Sequence, residues 1–99
     1  MHAEARVDAI RAQLQAALHT QAVEVIDDSH LHAGHAGARD GKGHFRVRVV
    51  SEDFRGLRTV QRHQLVYRSL GALMQTDIHA IGVAALTPDE AGDAPGPRL

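Results

Sequence analysis

The pattern from Phe54 to Leu86 limits the folds open to this chain more than any other. It runs as a turn, a helical period and an unbroken apolar stretch. Phe54-Arg55-Gly56-Leu57 predicts the turn, with Gly56 as the structural residue that permits the reversal. From about Arg58 to Gln75, the residues Val60, His63, Val66, Tyr67, Leu70, Leu73 and Met74 share one face at the 3.6-residue period. This predicts one long helix, with Arg58, Arg62, Leu65 and Ser69 on its other, more basic side. Ile78 to Leu86 is apolar on both faces, as expected of a strand that is covered on both sides or placed centrally. His79 stands at its mouth.

Upstream, Val7, Ile10, Leu14, Ala17 and Leu18 recur at helical spacing and predict an amphipathic first helix. Val23 and Val25 alternate with Ala22, Glu24 and Ile26, which predicts a half-buried strand that Asp27-Asp28-Ser29 ends. Residues 29–43 show no period and hold four Gly and three His, so they read as a long loop. His44 to Ser51 predicts a second strand, with Phe45, Val47 and Val49 on one face and His44, Arg46 and Arg48 on the other. The two strands would pair as a hairpin. Ser51 can cap a short turn over Glu52-Asp53-Phe54. A right-handed crossover would make the last strand parallel to the second. The expected order is αββααβ, an α/β class α+β sandwich with a three-stranded mixed sheet. Residues 1–88 form the domain, with one more helical turn possible at Thr87 to Glu90. Residues 89–99, rich in Pro and Gly, are expected to be a disordered tail.

Composition narrows the chemistry. At 99 residues one core is just sufficient, and with no Trp, one Tyr and two Phe it must rest on Val, Leu and Ile. The absence of Cys excludes disulfides, a thiol nucleophile and any self-supplied thiolate metal site. His2, Glu4 and Asp8 break up the N-terminus, which predicts neither a secretory signal nor a membrane span, hence a cytoplasmic protein. Net charge is −1, yet residues 44–68 carry six Arg against Glu52 and Asp53.

The His residues are the chemically informative feature. His30, His32 and His35 have the H-x-H-x-x-H spacing of hydrolytic zinc motifs. Gly34 stands where such motifs carry an acid, and a solvated loop explains the same residues. Gly34-His35-Ala36-Gly37 has the Gly-x-x-Gly spacing of KH-type nucleic-acid loops, but it lies between strands rather than helices. Arg55, Arg58 and Arg62 could touch phosphates, or form an ordinary solvated face. His63, within the apolar stripe, reads as a structural core histidine.

Taken together, Asp28-Ser29 with His32, His44-Phe45 with Val47, Phe54-x-Gly56, Arg62-His63 with Val66-Tyr67 and Leu70, and Ile78-His79-Ala80 resemble the BolA family, in order from about Val7 to Pro88. The resemblance implies a sandwich related to the second KH topology. It also implies a non-enzymatic adaptor, a monomer when alone, that binds a monothiol glutaredoxin. The pair would share a 2Fe-2S cluster, with glutathione among its ligands, for iron-sulfur trafficking or iron and redox regulation. By the family motifs the metal ligands would be His79 and a loop residue, His32 or its neighbour His35. Two imidazoles capping one iron beside thiolates have a counterpart in Rieske centres. Some BolA-like proteins are described as DNA-binding transcriptional regulators, which makes DNA binding through Arg55, Arg58 and Arg62 the alternative. Gln64 departs from the family pattern there, where a basic residue commonly follows Arg-His.

Overall fold

The computed structural model describes residues 3–28 and 43–92. Its elements are α1 (Ala3–Ala17), β1 (Thr20–Asp27), β2 (Gly43–Ser51), a 3-10 turn (Glu52–Phe54), α2 (Thr59–Leu70), α3 (Leu73–Thr76), β3 (Ile78–Leu86) and α4 (Pro88–Gly92). The sheet order is β1-β2-β3, with β1 antiparallel to β2 and β2 parallel to β3. The α+β sandwich with a mixed three-stranded sheet is therefore the observed fold. The loop expected over residues 29–43 and the tail beyond Gly92 fall almost wholly outside the described residues.

Both α1 and α2 pack on one face of the sheet, and the core forms between them. Ile10, Leu14 and Leu18 supply the buried stripe of α1 and its C-terminal end, at the i, i+4, i+8 spacing of one helical face. Phe45, Val47 and Val49 meet them from β2, while Arg46 and Arg48 project from the opposite face, as the alternation predicted. Val66 and Leu70 close the core from α2. Ser51 is fully buried and fully bonded: its hydroxyl donates to the His19 carbonyl (2.9 Å) and accepts from the Asp53 N–H (3.0 Å). It caps the 3-10 turn as expected and ties the end of β2 to the start of β1.

The turn at Phe54–Leu57 is a type II β-turn. Arg55 has φ −64°, ψ 131°, Gly56 has φ 81°, and the Leu57 N–H donates to the Phe54 carbonyl at 3.0 Å. A Cβ at Gly56 would touch nothing within 4 Å, so only the backbone resists a side chain there. Gly56→Ala is expected to cost about 1–2 kcal/mol through its left-handed conformation alone. Urea denaturation checks this, and an unchanged midpoint would remove the explanation.

The structure corrects three expectations. The long helix is two: α2 stops at Gly71, whose φ of 56° no helix accommodates, and α3 restarts at Leu73. Leu73 and Met74 belong to α3 and do not continue the α2 face, which is rotated from that of a single helix through Gly71. Val60 is 65% exposed and Tyr67 38%, whereas Ser69 is buried and Leu65 packs against the core. The buried Ser69 hydroxyl is satisfied by donating to the Leu65 carbonyl at 2.7 Å. His63 accordingly sits at the rim rather than in the core, half-buried, its ring centroid 6.4 Å from that of Tyr67.

The second correction is that β3 is an edge strand and β2 the central one. The apolar run of β3 mixes Ile, Val and Leu with Ala and Gly, which can face solvent at little cost, so hydrophobicity alone did not mark its position. The third concerns the end of the domain: the helical turn allowed at Thr87 to Glu90 is present as α4, and it continues to Gly92, into residues expected to belong to the tail. Thr87 and Glu90 cap that helix reciprocally, the Thr87 N–H donating to Glu90 Oε1 (2.8 Å) and the Glu90 N–H to Thr87 Oγ1 (3.4 Å).

Candidate metal centre

The register of β3 against β2 slips at its first residues. Gly43 pairs with Ile78 but His44 pairs with Ala80, so His79 has no opposite residue in β2. This is a β-bulge, a device that re-aims side chains. It lets Ile78 and Ile81 both face the core although three positions apart, and it turns His79 outward. The His79 imidazole lies against that of His44, with ring centroids 4.9 Å apart and planes inclined by 49°. His79 is exposed and His44 half-buried, so one ring is presented to solvent and the other backs it.

Several bonds fix this corner. The Gly43 N–H donates to the Asp77 carbonyl at 2.9 Å, and the Asp77 carboxylate lies 3.6 Å from Arg6 Nε. The Asp28 N–H donates to the His44 carbonyl at 2.7 Å. The buried Asp28 carboxylate accepts from Arg46 Nε (2.5 Å) and Nη2 (3.3 Å). Asp28, His44, Phe45, Arg46, Ala80, Ile81 and Gly82 together line an open cleft of about 360 Å³. Asp28 and Gly43, the two residues flanking segment 29–42, are thus both anchored at the histidine pair. His32 and His35, the expected loop ligands, lie outside the described residues.

Among the described residues no group of three His, Cys, Asp or Glu is placed to hold a metal ion. The chain also has no Cys. What this corner offers an iron centre is therefore imidazole nitrogen, with thiolate left to come from another molecule. The donor chemistry fits a shared cluster and does not fit one held by this chain alone. His44 went unrecognised as a site residue because strand-opening histidines are ordinarily structural. Only the bulge, invisible in sequence, brings it against His79.

The arginines at the other end of the sheet are engaged internally. Arg55 binds Glu52 (2.6 and 2.9 Å) and Asp89 (3.1 Å), and both carboxylates hold its pKa above the ordinary value. Arg62 donates to the Leu57 carbonyl (2.9 Å), the Ala85 carbonyl (3.1 Å) and the Glu90 carboxylate (2.7 and 3.4 Å). Arg58 is exposed at the N-cap of α2, its backbone N–H donating to Gln61 Oε1 at 2.8 Å.

The Arg62 guanidinium, followed by the Thr87 N–H, holds the Glu90 carboxyl down at about 2, against an ordinary 4.5. A depressed carboxyl stabilises the folded form above its unfolded value and loses that contribution as pH falls through the folded one. The α4 turn is therefore expected to stay docked as pH falls below 4.5 and to release as it approaches about 2. The NMR signal of the Ala91 amide, bonded to the Thr87 carbonyl at 3.0 Å, reports this. Release complete by pH 4 would contradict the Arg62–Glu90 pair.

Fold and site define a class: a small α+β sandwich with imidazoles at a bulged edge strand and no thiol of its own. The model of the BolA-like protein family matches residues 14–90. Protein BOLA1, chloroplastic, of Arabidopsis thaliana is 39% identical over 90 residues, covering 88% of this chain and 56% of that protein. The DNA-binding transcriptional regulator BolA of Haemophilus influenzae is 33% identical over 81 residues, covering 82% of this chain and 76% of that one. The solved BolA domain of SufE1 from Arabidopsis thaliana superposes with a TM-score of 0.77 at 37% identity, covering 91% of this chain and 98% of that domain. The chain belongs to the BolA-like protein family. It spans little more than half the length of the chloroplastic BOLA1 it matches. Among the described residues no helix is long and apolar enough to cross a membrane.

Proposed function

We propose that this BolA-like chain is a cytoplasmic adaptor, not an enzyme, that binds a monothiol glutaredoxin and lends histidine nitrogen to a shared 2Fe-2S cluster, in iron-sulfur trafficking or iron and redox regulation. The observation that carries the reading is the bulge that presents His79 to solvent, backed by His44, in a chain without Cys. Bound there, the cluster would supply one-electron redox capacity. The chain's part is to hold an imidazole at a fixed place on a rigid strand and to leave the remaining positions to the partner's thiolate and glutathione. His32, four residues after the anchored Asp28 in sequence, is one loop candidate for the second nitrogen. His35 is the other loop candidate.

The test is anaerobic reconstitution with a monothiol glutaredoxin, iron, sulfide and glutathione, followed by visible absorption. The expected result is a heterodimer spectrum distinct from that of the glutaredoxin alone, altered by either His32→Ala or His35→Ala but not both. Failure to form any complex removes the adaptor reading. Because ligation requires neutral imidazole, the heterodimer spectrum is expected to bleach as pH falls below about 6. A spectrum indifferent at pH 5 would argue against histidine ligands.

The second reading, DNA binding through Arg55, Arg58 and Arg62, is favoured by the likeness to the Haemophilus regulator and by the exposure of Arg58. It requires affinity for duplex DNA to fall with salt at a log–log slope of about 0.9 per phosphate contacted. No retention of duplex DNA at low salt would end it.

A further inference from the structure

The Glu90 carboxylate sits in a nest of convergent donors: Arg62 Nη1 at 2.7 Å, Arg62 Nη2 at 3.4 Å and the Thr87 N–H at 2.8 Å. Beside it, the Asp89 carboxylate takes the Arg55 guanidinium at 3.1 Å. Forked guanidinium with a backbone N–H is the donor set that binds phosphate oxygens as well as carboxylate oxygens. The nest is built from behind. The Leu57 and Ala85 carbonyls hold Arg62 independently of Glu90, so its fork keeps its aim when the carboxylate leaves. The occupant, by contrast, is weakly held: α4 has five residues and none of them is buried. Such a segment detaches without disturbing the core. Arg58, exposed and four residues before Arg62, extends the same basic strip.

We propose that Arg62, the Thr87 N–H and Arg55 form a phosphate-binding site that the chain's own Glu90 and Asp89 carboxylates fill. A nucleic-acid backbone and helix α4 then compete for the same donors. The proposal rests on the DNA-binding reading and adds to it an internal competitor, a tethered anion whose effective concentration is in the ~mM range. In the docked state the α4 carboxylates take the Arg62 fork and Arg55 Nη1, while Arg55 Nε and Nη2 stay on Glu52, so moving α4 aside opens Arg62 and Arg55 Nη1 beside the exposed Arg58.

The experiment compares the full chain, the Asp89→Asn/Glu90→Gln variant and a Glu4→Gln/Asp8→Asn variant, which loses the same charge from the exposed side of α1. Each is titrated with a short labelled duplex DNA over a range of salt, and circular dichroism checks that all three stay folded. The Asp89→Asn/Glu90→Gln chain is expected to bind at least roughly tenfold more tightly than the control variant at low salt, with a log–log salt slope steeper by about 0.9, the share of the one further phosphate that Arg62 takes while Glu52 still neutralises Arg55. If the full chain binds DNA but the two variants match each other in affinity and slope, the site is overturned and the DNA reading stands. If none of the three chains binds, both fall together.

Discussion

His79→Ala is expected to abolish the heterodimer spectrum formed with a monothiol glutaredoxin while leaving the fold unchanged. The two halves of this expectation come from the same geometry. His79 is the extra residue of the bulge, exposed and outside the core, so its side chain can be removed at a cost within about 0.5 kcal/mol. No other described residue presents an exposed imidazole at this corner, since His44 is half-buried behind it. His44→Ala is the graded companion: it removes the ring that backs His79 and is expected to shift and weaken the spectrum without eliminating it. Visible absorption with denaturation midpoints separates the cases. A His79→Ala chain that still forms the wild-type spectrum would take the ligand role away from this strand.

Phe54→Ala should be the most damaging single change to stability, at about 3–5 kcal/mol. Phe54 is 0% exposed and the largest fully buried side chain, in a chain with one other Phe and no Trp. It also opens the type II turn that carries the chain from β2 to α2, so collapse around the void is resisted by the turn. Domains of this size are stable by only about 5–15 kcal/mol, so the loss takes a large share of the total. The urea midpoint is expected to fall by more than about 1 M. Val60→Ala provides the contrast: at 65% exposure it should change stability by no more than about 0.5 kcal/mol. Equal costs at the two positions would mean that the buried face of α2 is wrongly placed.

Much of the fold is legible in the sequence because local patterns and tertiary burial agree over most of it. The mixed i+3 and i+4 steps of Val7, Ile10, Leu14, Ala17 and Leu18 match a helix with one buried face and break the even spacing of a strand. The alternation of Phe45, Val47 and Val49 with Arg46 and Arg48 admits only a strand with one face inward. Gly56 in its turn is determined in the same way, because a type II turn needs a residue that tolerates positive φ. The motif order from Asp28-Ser29 to Ile78-His79-Ala80 was sufficient to place the chain in its family, and with it His79 as the residue of interest.

The sequence did not determine features that depend on partners distant along the chain. Gly71 divides α2 from α3 because the backbone must turn toward β3, and a period averaged across that break misplaced Val60, Tyr67 and Ser69. An edge strand that mixes Ala and Gly with Ile, Val and Leu carries the same apolar signal as a central one, so only pairing could show that β2 lies in the middle. The pairing of Arg55 and Arg62 with Asp89 and Glu90 joins residues 28 to 34 positions apart, which no local pattern encodes. Most consequential, the contact between His44 and His79 exists because one residue of β3 has no opposite in β2. Composition and spacing supplied the imidazoles, and strand register alone decided that two of them would meet.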